Sequence, residues 1–436
     1  MCIRDSPYPE HPHTTSSMRH LILTGCAGFS LVGLAPADLL SQDLFLGSST
    51  TAITRTNAVT GEQELIGACG GSIHSMALVG TDLYLGTPSG VVYRWNEALG
   101  FSEYAFQSAG DARALTARGT ELLVGSTDGE VRRYDPMTGS LLGSVSTGFP
   151  VHAMCYEYGP GLGDLLVGSI SGVVLKGDPL TGNFQHVGTC GGNVTAMVSH
   201  DSNIFVADDV SLIWHFEAQN MNLVNAFNVP APATGIAHLQ GDLLLSSQDG
   251  LVRRVSMFSG TLKSSCDHGM SLDALAMPET QTPGTVACVG SVCPCDNLDE
   301  GNGCGNSNGF GADLVAYGTA SVSQDDLGFY AYDLPVNSYA LFFMGPQSQF
   351  KAWGAGVLCV SSDGYSSTYR FQISKTGAGG TLSLGPGIAA LSDASFQKQG
   401  LIAPGSTWYF QTLYRDPSGP CFTMNSSPAY GVTFQP

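Results

Sequence analysis

The sequence predicts an all-β chain: a six-bladed β-propeller followed by an antiparallel β-sandwich. Three observations carry this expectation: a motif that recurs about every 39 residues, glycine at 56 of 436 positions, and a charged fraction of only 12%. So few charges argue against a coiled coil, and the glycines follow no Gly-X-Y period, which excludes collagen. Short alternating runs separated by glycine turns are the pattern of antiparallel strands.

The repeat is read from its anchors, Asp43-Leu-Phe-Leu, Asp82-Leu-Tyr-Leu, Glu121-Leu-Leu-Val, Asp164-Leu-Leu-Val, Asn203-Ile-Phe-Val and Asp242-Leu-Leu-Leu. They are spaced by 39, 39, 43, 39 and 39 residues, and the long interval holds the extra turn Gly159-Pro160-Gly161-Leu162-Gly163. Eight residues past the anchor stands glycine in four copies (Gly90, Gly129, Gly172, Gly250), and eighteen past it in five (Gly61, Gly100, Gly139, Gly182, Gly260). A strand of the form Val-x-Ala-Met precedes the next anchor. Four short strands per 39 residues are one propeller blade. The first repeat lacks its first strand, so the strand after Asp273 is expected to complete the blade that begins at Asp43 and close the ring. Thr285-Val-Ala-Cys-Val-Gly290 looks like another second strand, which leaves seven blades as the rival to six.

Ser126-Thr-Asp-Gly-Glu-Val-Arg-Arg-Tyr-Asp-Pro-Met-Thr-Gly139 resembles the blade signature of the WD40-like, YVTN and quinoprotein-like propellers, over about residues 43–290. That resemblance implies a fold rather than an activity. Quinoprotein dehydrogenases of this group carry tryptophan docking motifs in most blades. Here only Trp95 and Trp214 fall in the repeats, so no cofactor is expected.

From Cys293-Pro-Cys onward the repeat gives way to other strand-like runs, among them Asp313-Leu-Val-Ala-Tyr317, Gly328-Phe-Tyr-Ala-Tyr332 and Thr407–Arg415. Seven or eight such runs fit a sandwich. With its Cys-Pro-Cys start, Gly303-Cys-Gly-Asn-Ser307 and Tyr414-Arg-Asp-Pro417, the stretch resembles a C-terminal module of secreted planctomycete-type bacterial proteins. Trp408, Phe410 and Tyr414 read as sandwich core rather than a sugar-stacking surface.

Residues 1–6 resemble a spurious start. Met18–Ala37 reads as a signal peptide, with a basic n-region, an apolar h-region and a small-x-small site at Ala35-Pro-Ala37. The expected organisation is then 1–37 leader, 38–290 propeller, 291–310 cysteine-rich linker and 311–436 sandwich. Cleavage before Asp38 leaves the net charge at −19 and ten cysteines, expected to be paired wholly or in part in an exported protein. Six of these lie late: Cys288, Cys293, Cys295, Cys304, Cys359 and Cys421. They allow 15 pairings, and spacing does not choose among them. Disulfides are favoured there over a metal, so no metal site is expected. The acidic charge argues against a nucleic-acid partner, and no apolar run is long enough for a membrane span.

Two sets of polar residues recur. Twelve past each anchor stands a base: Arg55, Arg94, Arg133, Lys176, His215 and Arg254; fourteen past it stand Asn57, Asn96, Asp135, Asp178, Glu217 and Ser256. These are expected to form an interblade structural ring, in which loss of Arg133 would leave Asp135 less well satisfied. The x of Val-x-Ala-Met varies: His74, Arg113, His152, Thr195, Thr234 and Asp273. It should face the central channel, so His74, Arg113, His152 and Asp273 are the candidate site, with Asp273 placed to orient His74. No nucleophile elbow, His-Glu-x-x-His or phosphate loop is present. The expected function is a secreted or cell-surface, non-catalytic propeller that binds an extracellular ligand, glycan or protein, with the sandwich for attachment. The alternative is an extracellular lyase or hydrolase acting on a polymer through the channel-mouth residues.

Overall fold

The computed structural model describes residues 43–436 apart from 59–60, 158–162, 201–202, 240, 278–282, 300–301, 363–367, 378 and 397–398. Residues 1–37, with the expected leader, and most of the 159–163 turn therefore lie outside the described residues.

Six four-stranded blades form the ring. Blade 1 is made from both ends of the repeat region: Asp43–Gly47, Ala52–Asn57 and Gln63–Ala68 take Ala274–Ala276 as their innermost strand, with Phe45 opposite Ala276 and Gly47 opposite Ala274. Blades 2 to 6 are consecutive in the chain, with innermost strands Ser75–Val79, Ala114–Arg118, Val151–Tyr156, Val194–His200 and Gly235–Leu239. These innermost strands neighbour one another in a closed cycle. Thr285–Cys288, the start of the rival seventh blade, instead pairs antiparallel with the late strand Thr423–Thr433, Thr285 lying opposite Gly431. The last strand of the ring is thus Ala274–Ala276, short of the expected boundary at 290.

The repeat glycines are explained by backbone geometry. Gly90, Gly129, Gly172 and Gly250 have φ between 77° and 86°, in the left-handed region that a Cβ disfavours. Where the repeat lacks glycine the turn persists: Thr51 and Ser211 occupy the same position at φ 77° and 67°. A second glycine series, unremarked in the spacing, stands four past the anchor. A Cβ on Gly47 would lie 2.5 Å from Ile73 Cγ2 of the next blade, and one on Gly125 or Gly168 would collide with Val151 or Val194. Each glycine is therefore a socket for the apolar residue that opens the next innermost strand. In blade 5, where the socket residue is Ala207, the residue in the shared core is the small Ala233.

Six interblade cores result, and the one at the closure seam differs from the rest. It joins Leu44 and Leu46 of blade 1 to Leu244 and Val252 of blade 6, but also takes in Val315 and Tyr332 from the C-terminal module. That module packs its sheets on a common core. A three-stranded sheet (Asp313–Tyr317, Gly328–Tyr332, Leu382–Leu384) and a larger sheet built on Tyr339–Gly345, Thr407–Asp416 and Thr423–Thr433 share one core around Phe329, Phe342, Phe410 and Tyr430. Trp408, Phe410 and Tyr414 are buried in it, as expected. The far face of the larger sheet carries the hairpin Gln347–Trp353 and Gly356–Ser361. A helix, Ile388–Phe396, was not foreseen.

The late cysteines pair as Cys288–Cys359, Cys293–Cys304 and Cys295–Cys421. Cys69, Cys155 and Cys190 are buried free thiols, so pairing is partial. The cysteine-rich stretch 291–310 is tied to the module: two of these disulfides start there, and Asn302, Cys304 and Asn306 are buried.

At the seam a buried ionic cluster joins the two parts. The fully buried ammonium of Lys263 lies 2.7 Å from Asp242 Oδ1, 3.8 Å from Asp299 and 4.0 Å from Asp333. Arg254 pairs with Asp333 of the module and lies 3.6 Å from Asp242, with its guanidinium 4.8 Å from the Tyr332 ring centroid. Tyr332 donates a 2.8 Å hydrogen bond to Asp313, whose carboxyl burial pushes up to about 7, the charge of Asp242 adding to the effect. Burial alone would lower the pKa of Lys263, but Asp242, Asp333 and Asp299 outweigh it and hold the ammonium above its ordinary value.

Three stability outcomes follow from this geometry. Thr51→Gly relieves a β-branched residue at positive φ and should raise stability by about 1 kcal/mol, whereas Gly125→Val fills an interblade socket and should cost about 1–3 kcal/mol; urea denaturation midpoints measure both. Arg254→Met leaves Asp242 and Asp333 short of a counter-charge and should cost about 3–5 kcal/mol. An unchanged midpoint for that variant would remove the seam cluster from the account of how propeller and module are joined.

Candidate functional site at the channel mouth

The variable ring residues stand at one end of the innermost strands. The backbone N–H groups of His74, Arg113, Thr234 and Asp273 donate to the carbonyls of Gly86, Gly125, Ser246 and Gly47, at 2.8–3.0 Å. His152 and Thr195 sit where the register slips: Val151 faces Ser169 but Ala153 faces Gly168, and Val194 faces Asp208 but Ala196 faces Ala207. All six side chains are half-buried.

The side chains sort into contacts. An Arg113 terminal nitrogen lies 2.6 Å from His74 Nδ1. A guanidinium only donates, so Nδ1 accepts and the ring proton of His74 is on Nε2. His152 Nδ1 lies 2.6 Å from the carbonyl of Val194, which only accepts, so this histidine carries its proton on Nδ1. The two imidazoles thus hold opposite tautomers. Burial lowers both pKa values and the charge of Arg113 lowers them further; Asp273 and Asp111 partly offset this at His74, the Val194 carbonyl and Asp111 at His152.

Asp273 is used differently from the expectation that it orients His74. Its carboxylate accepts from the Ser49 N–H at 2.8 Å and from Gln248 Nε2 at 3.4 Å, while Nδ1 of His74 is taken by Arg113. Asp111 is likewise occupied, by the Ser126 hydroxyl and the Thr127 N–H. The structure therefore joins His74 to Arg113, keeps His152 within the electrostatic reach of Arg113, and gives no Asp–His dyad among the described residues.

The outer ring of bases also differs from expectation. The bases pair inside their own blades, diagonally across to the anchor: Arg55 with Asp43 at 3.8 Å, Arg94 with Asp82 at 3.2 Å, Arg133 with Glu121 at 3.2 Å, and His215 with Asn203 at 2.7 Å. Lys176 instead takes Glu157, at 2.6 Å. Arg55 is held more closely by Glu64 of its own blade, at 2.7 Å, and it also reaches the next blade at Glu97, at 3.3 Å, as Lys176 reaches the Ala218 carbonyl at 3.4 Å. The residues fourteen past the anchor cap turns: Asp135 accepts the N–H groups of Met137 and Thr138, and Asp178 that of Leu180. Loss of Arg133 would leave Glu121 with Arg118 as its remaining cation, at 3.2 Å, and would not touch the partners of Asp135.

One consequence was not legible in the repeat. The propeller holds ten lysines and arginines, and Arg113 alone lacks a carboxylate within ion-pair distance among the described residues. Two further histidines carry no signal in the repeat, since they stand at the opposite end of the innermost strands: the rings of His200 and His238 meet at a tilt of 36° with centroids 4.1 Å apart, and burial drives His238 down to about 3. A cavity of about 20 Å³ between blades 6 and 1, lined by Leu44, Leu244, Arg254 and Cys266, has room for about one water. Among the described residues no group of three or more His, Cys, Asp or Glu is placed to hold a metal ion, and no helix is long and apolar enough to cross a membrane.

Two measurements test these assignments. His74→Ala and Asp273→Ala should leave the melting temperature within about 2–4 °C of the parent, since half-buried mouth residues add little to packing. His268, buried without a hydrogen-bond partner among the described residues, is driven down to about 4 by burial. Its folded pKa lies below its unfolded value, so the stability it allows is complete above about pH 6.5 and is lost as pH falls toward 4. His268→Val, the residue that blade 5 carries at this position as Val229, should therefore show a smaller drop in urea midpoint between pH 7 and pH 5.

No family model matches the chain, and no curated protein matches it. Solved structures are similar at low identity. The computationally designed Ika8 protein is 17% identical at a TM-score of 0.39, over 54% of this chain and 75% of that one. The WD40 β-propeller domain of Doa1 is 13% identical at 0.44, over 54% and 82%. A chain of the nidogen/laminin complex is 10% identical at 0.47, over 53% and 97%.

Proposed function

We propose that this chain is an exported, non-catalytic binding protein whose propeller takes a ligand or partner at the channel mouth, with the sandwich as its accessory module. The observation that carries the reading is Arg113: a half-buried cation with no carboxylate partner among the described residues, in a propeller whose other lysines and arginines are all paired. A guanidinium so held keeps donors free for an incoming group. Two things weigh against acid–base catalysis. Asp273 is hydrogen-bonded away from His74, and an imidazole that accepts from arginine is a weak base. Three disulfides in the C-terminal module suit an oxidising compartment.

A glycan, metabolite and protein screen on residues 38–436 tests the reading. Whatever binds should bind at least tenfold more weakly to Arg113→Ala, with the melting temperature nearly unchanged. Full binding by Arg113→Ala, His74→Ala and Asp273→Ala alike would move the site away from the mouth. Mass spectrometry of exported protein should find Asp38 as the N-terminus and the disulfides Cys288–Cys359, Cys293–Cys304 and Cys295–Cys421 intact. An uncleaved Met18–Ala37 segment would overturn the export reading.

A further inference from the structure

We infer that the channel mouth is a carboxylate-binding site that takes up a proton as it binds, with Arg113 as the fixed charge and His152 as the proton acceptor. This rests on the mouth being the binding site and adds the chemical class of what it binds.

The donors are defined by the contacts already made. One Arg113 nitrogen is engaged with His74 Nδ1, which fixes the side chain and leaves its other N–H groups for a ligand. The same contact leaves the remaining ring proton of His74 on Nε2, a second donor. His152 has its Nδ1 proton engaged by Val194, so its Nε2 is bare while the ring is neutral and becomes a donor only on protonation.

The charges that face these rings are few. His152 feels Arg113, His74 and Asp111; His74 feels Arg113, Asp273 and Asp111. Asp111 and Asp273 are held by Ser126, Thr127, Ser49 and Gln248, so neither forms an ion pair with Arg113. In the empty mouth Arg113 therefore repels a proton from His152. An anion on Arg113 cancels that repulsion, so anion binding and protonation of His152 favour each other. The proton comes from solvent, and no covalent bond changes. A single negative charge suits the mouth better than two, because two carboxylates stand beside it and the whole chain carries −19.

Isothermal titration of residues 38–436 with acetate, and separately with sulfate, at pH 6 and pH 8 in buffers of different ionisation enthalpy tests this. Acetate should bind more tightly than sulfate, by up to about tenfold more at pH 6 than at pH 8, with net proton uptake; tenfold corresponds to about one unit of pKa rise. Arg113→Ala should abolish binding at both pH values. His152→Gln should bind acetate as the parent does at pH 8 and lose the gain at pH 6. Sulfate binding as tightly as acetate overturns the carboxylate class. Acetate binding without proton uptake, or a pH gain that survives in His152→Gln, overturns the role of His152. If the screen yields an Arg113-dependent ligand while acetate fails to bind, this inference falls and the mouth as binding site stands. If acetate binds equally to the parent and Arg113→Ala, this inference falls; the mouth as binding site falls with it only if the screened ligand too binds Arg113→Ala, His74→Ala and Asp273→Ala in full.

Discussion

The structure depends on one short pairing, that of Ala274–Ala276 with Asp43–Gly47, which turns a row of blades into a ring. Every other blade is complete within its own stretch of chain. Blade 1 exists only when two segments more than two hundred residues apart meet, and without that meeting the flanking blades would each present an uncovered face. Three residues of ladder are little to hold such a closure, and the surroundings of the seam supply more. Val315 and Tyr332 of the C-terminal module enter the seam core, and Arg254 of blade 6 bonds Asp333 across the same boundary.

The regular part of the ring follows from two uses of glycine. At the turns, glycine takes a left-handed backbone conformation that Thr51 and Ser211 adopt against their preference. Beside the channel, a missing Cβ lets one blade close onto the first apolar residue of the next. The first use is a local property of the chain. The second is a fit between blades, which explains why Ala207 shares its core with the equally small Ala233.

Much of this was legible in the sequence because a repeat displays its own rules. The anchors, the turn glycines and the mixed-terminus closure all come from residues that recur at fixed spacing, and the candidate ring was found as the place where the repeat varies. Legibility failed where partners are chosen in space. Asp135 stands two residues from Arg133, yet it caps a turn while Arg133 reaches diagonally to Glu121 on the adjoining strand. Asp273 follows the ring order toward His74 but bonds the Ser49 N–H instead. Lys263 gave no signal at all, since nothing in the repeat marks a lysine that is buried against the anchor Asp242 of its own blade and against Asp299 and Asp333 from beyond the ring. Thr285–Cys288 looks like a blade strand by composition; its partner strand Thr423–Thr433, near the other end of the module, decides otherwise.

The late arrival of the closing strand also bears on how the chain is made. During synthesis Asp43–Gly47 emerges early, but its inner partner follows only after five blades have been completed. Through that interval blade 1 is an open three-stranded sheet, with an unpaired inner edge of the kind that other chains can extend. Contacts of such long sequence separation slow folding, because the loop must be closed before the contact can stabilise anything. The nascent molecule is therefore most vulnerable to aggregation at its own beginning, and it stays so until its final third has begun to appear.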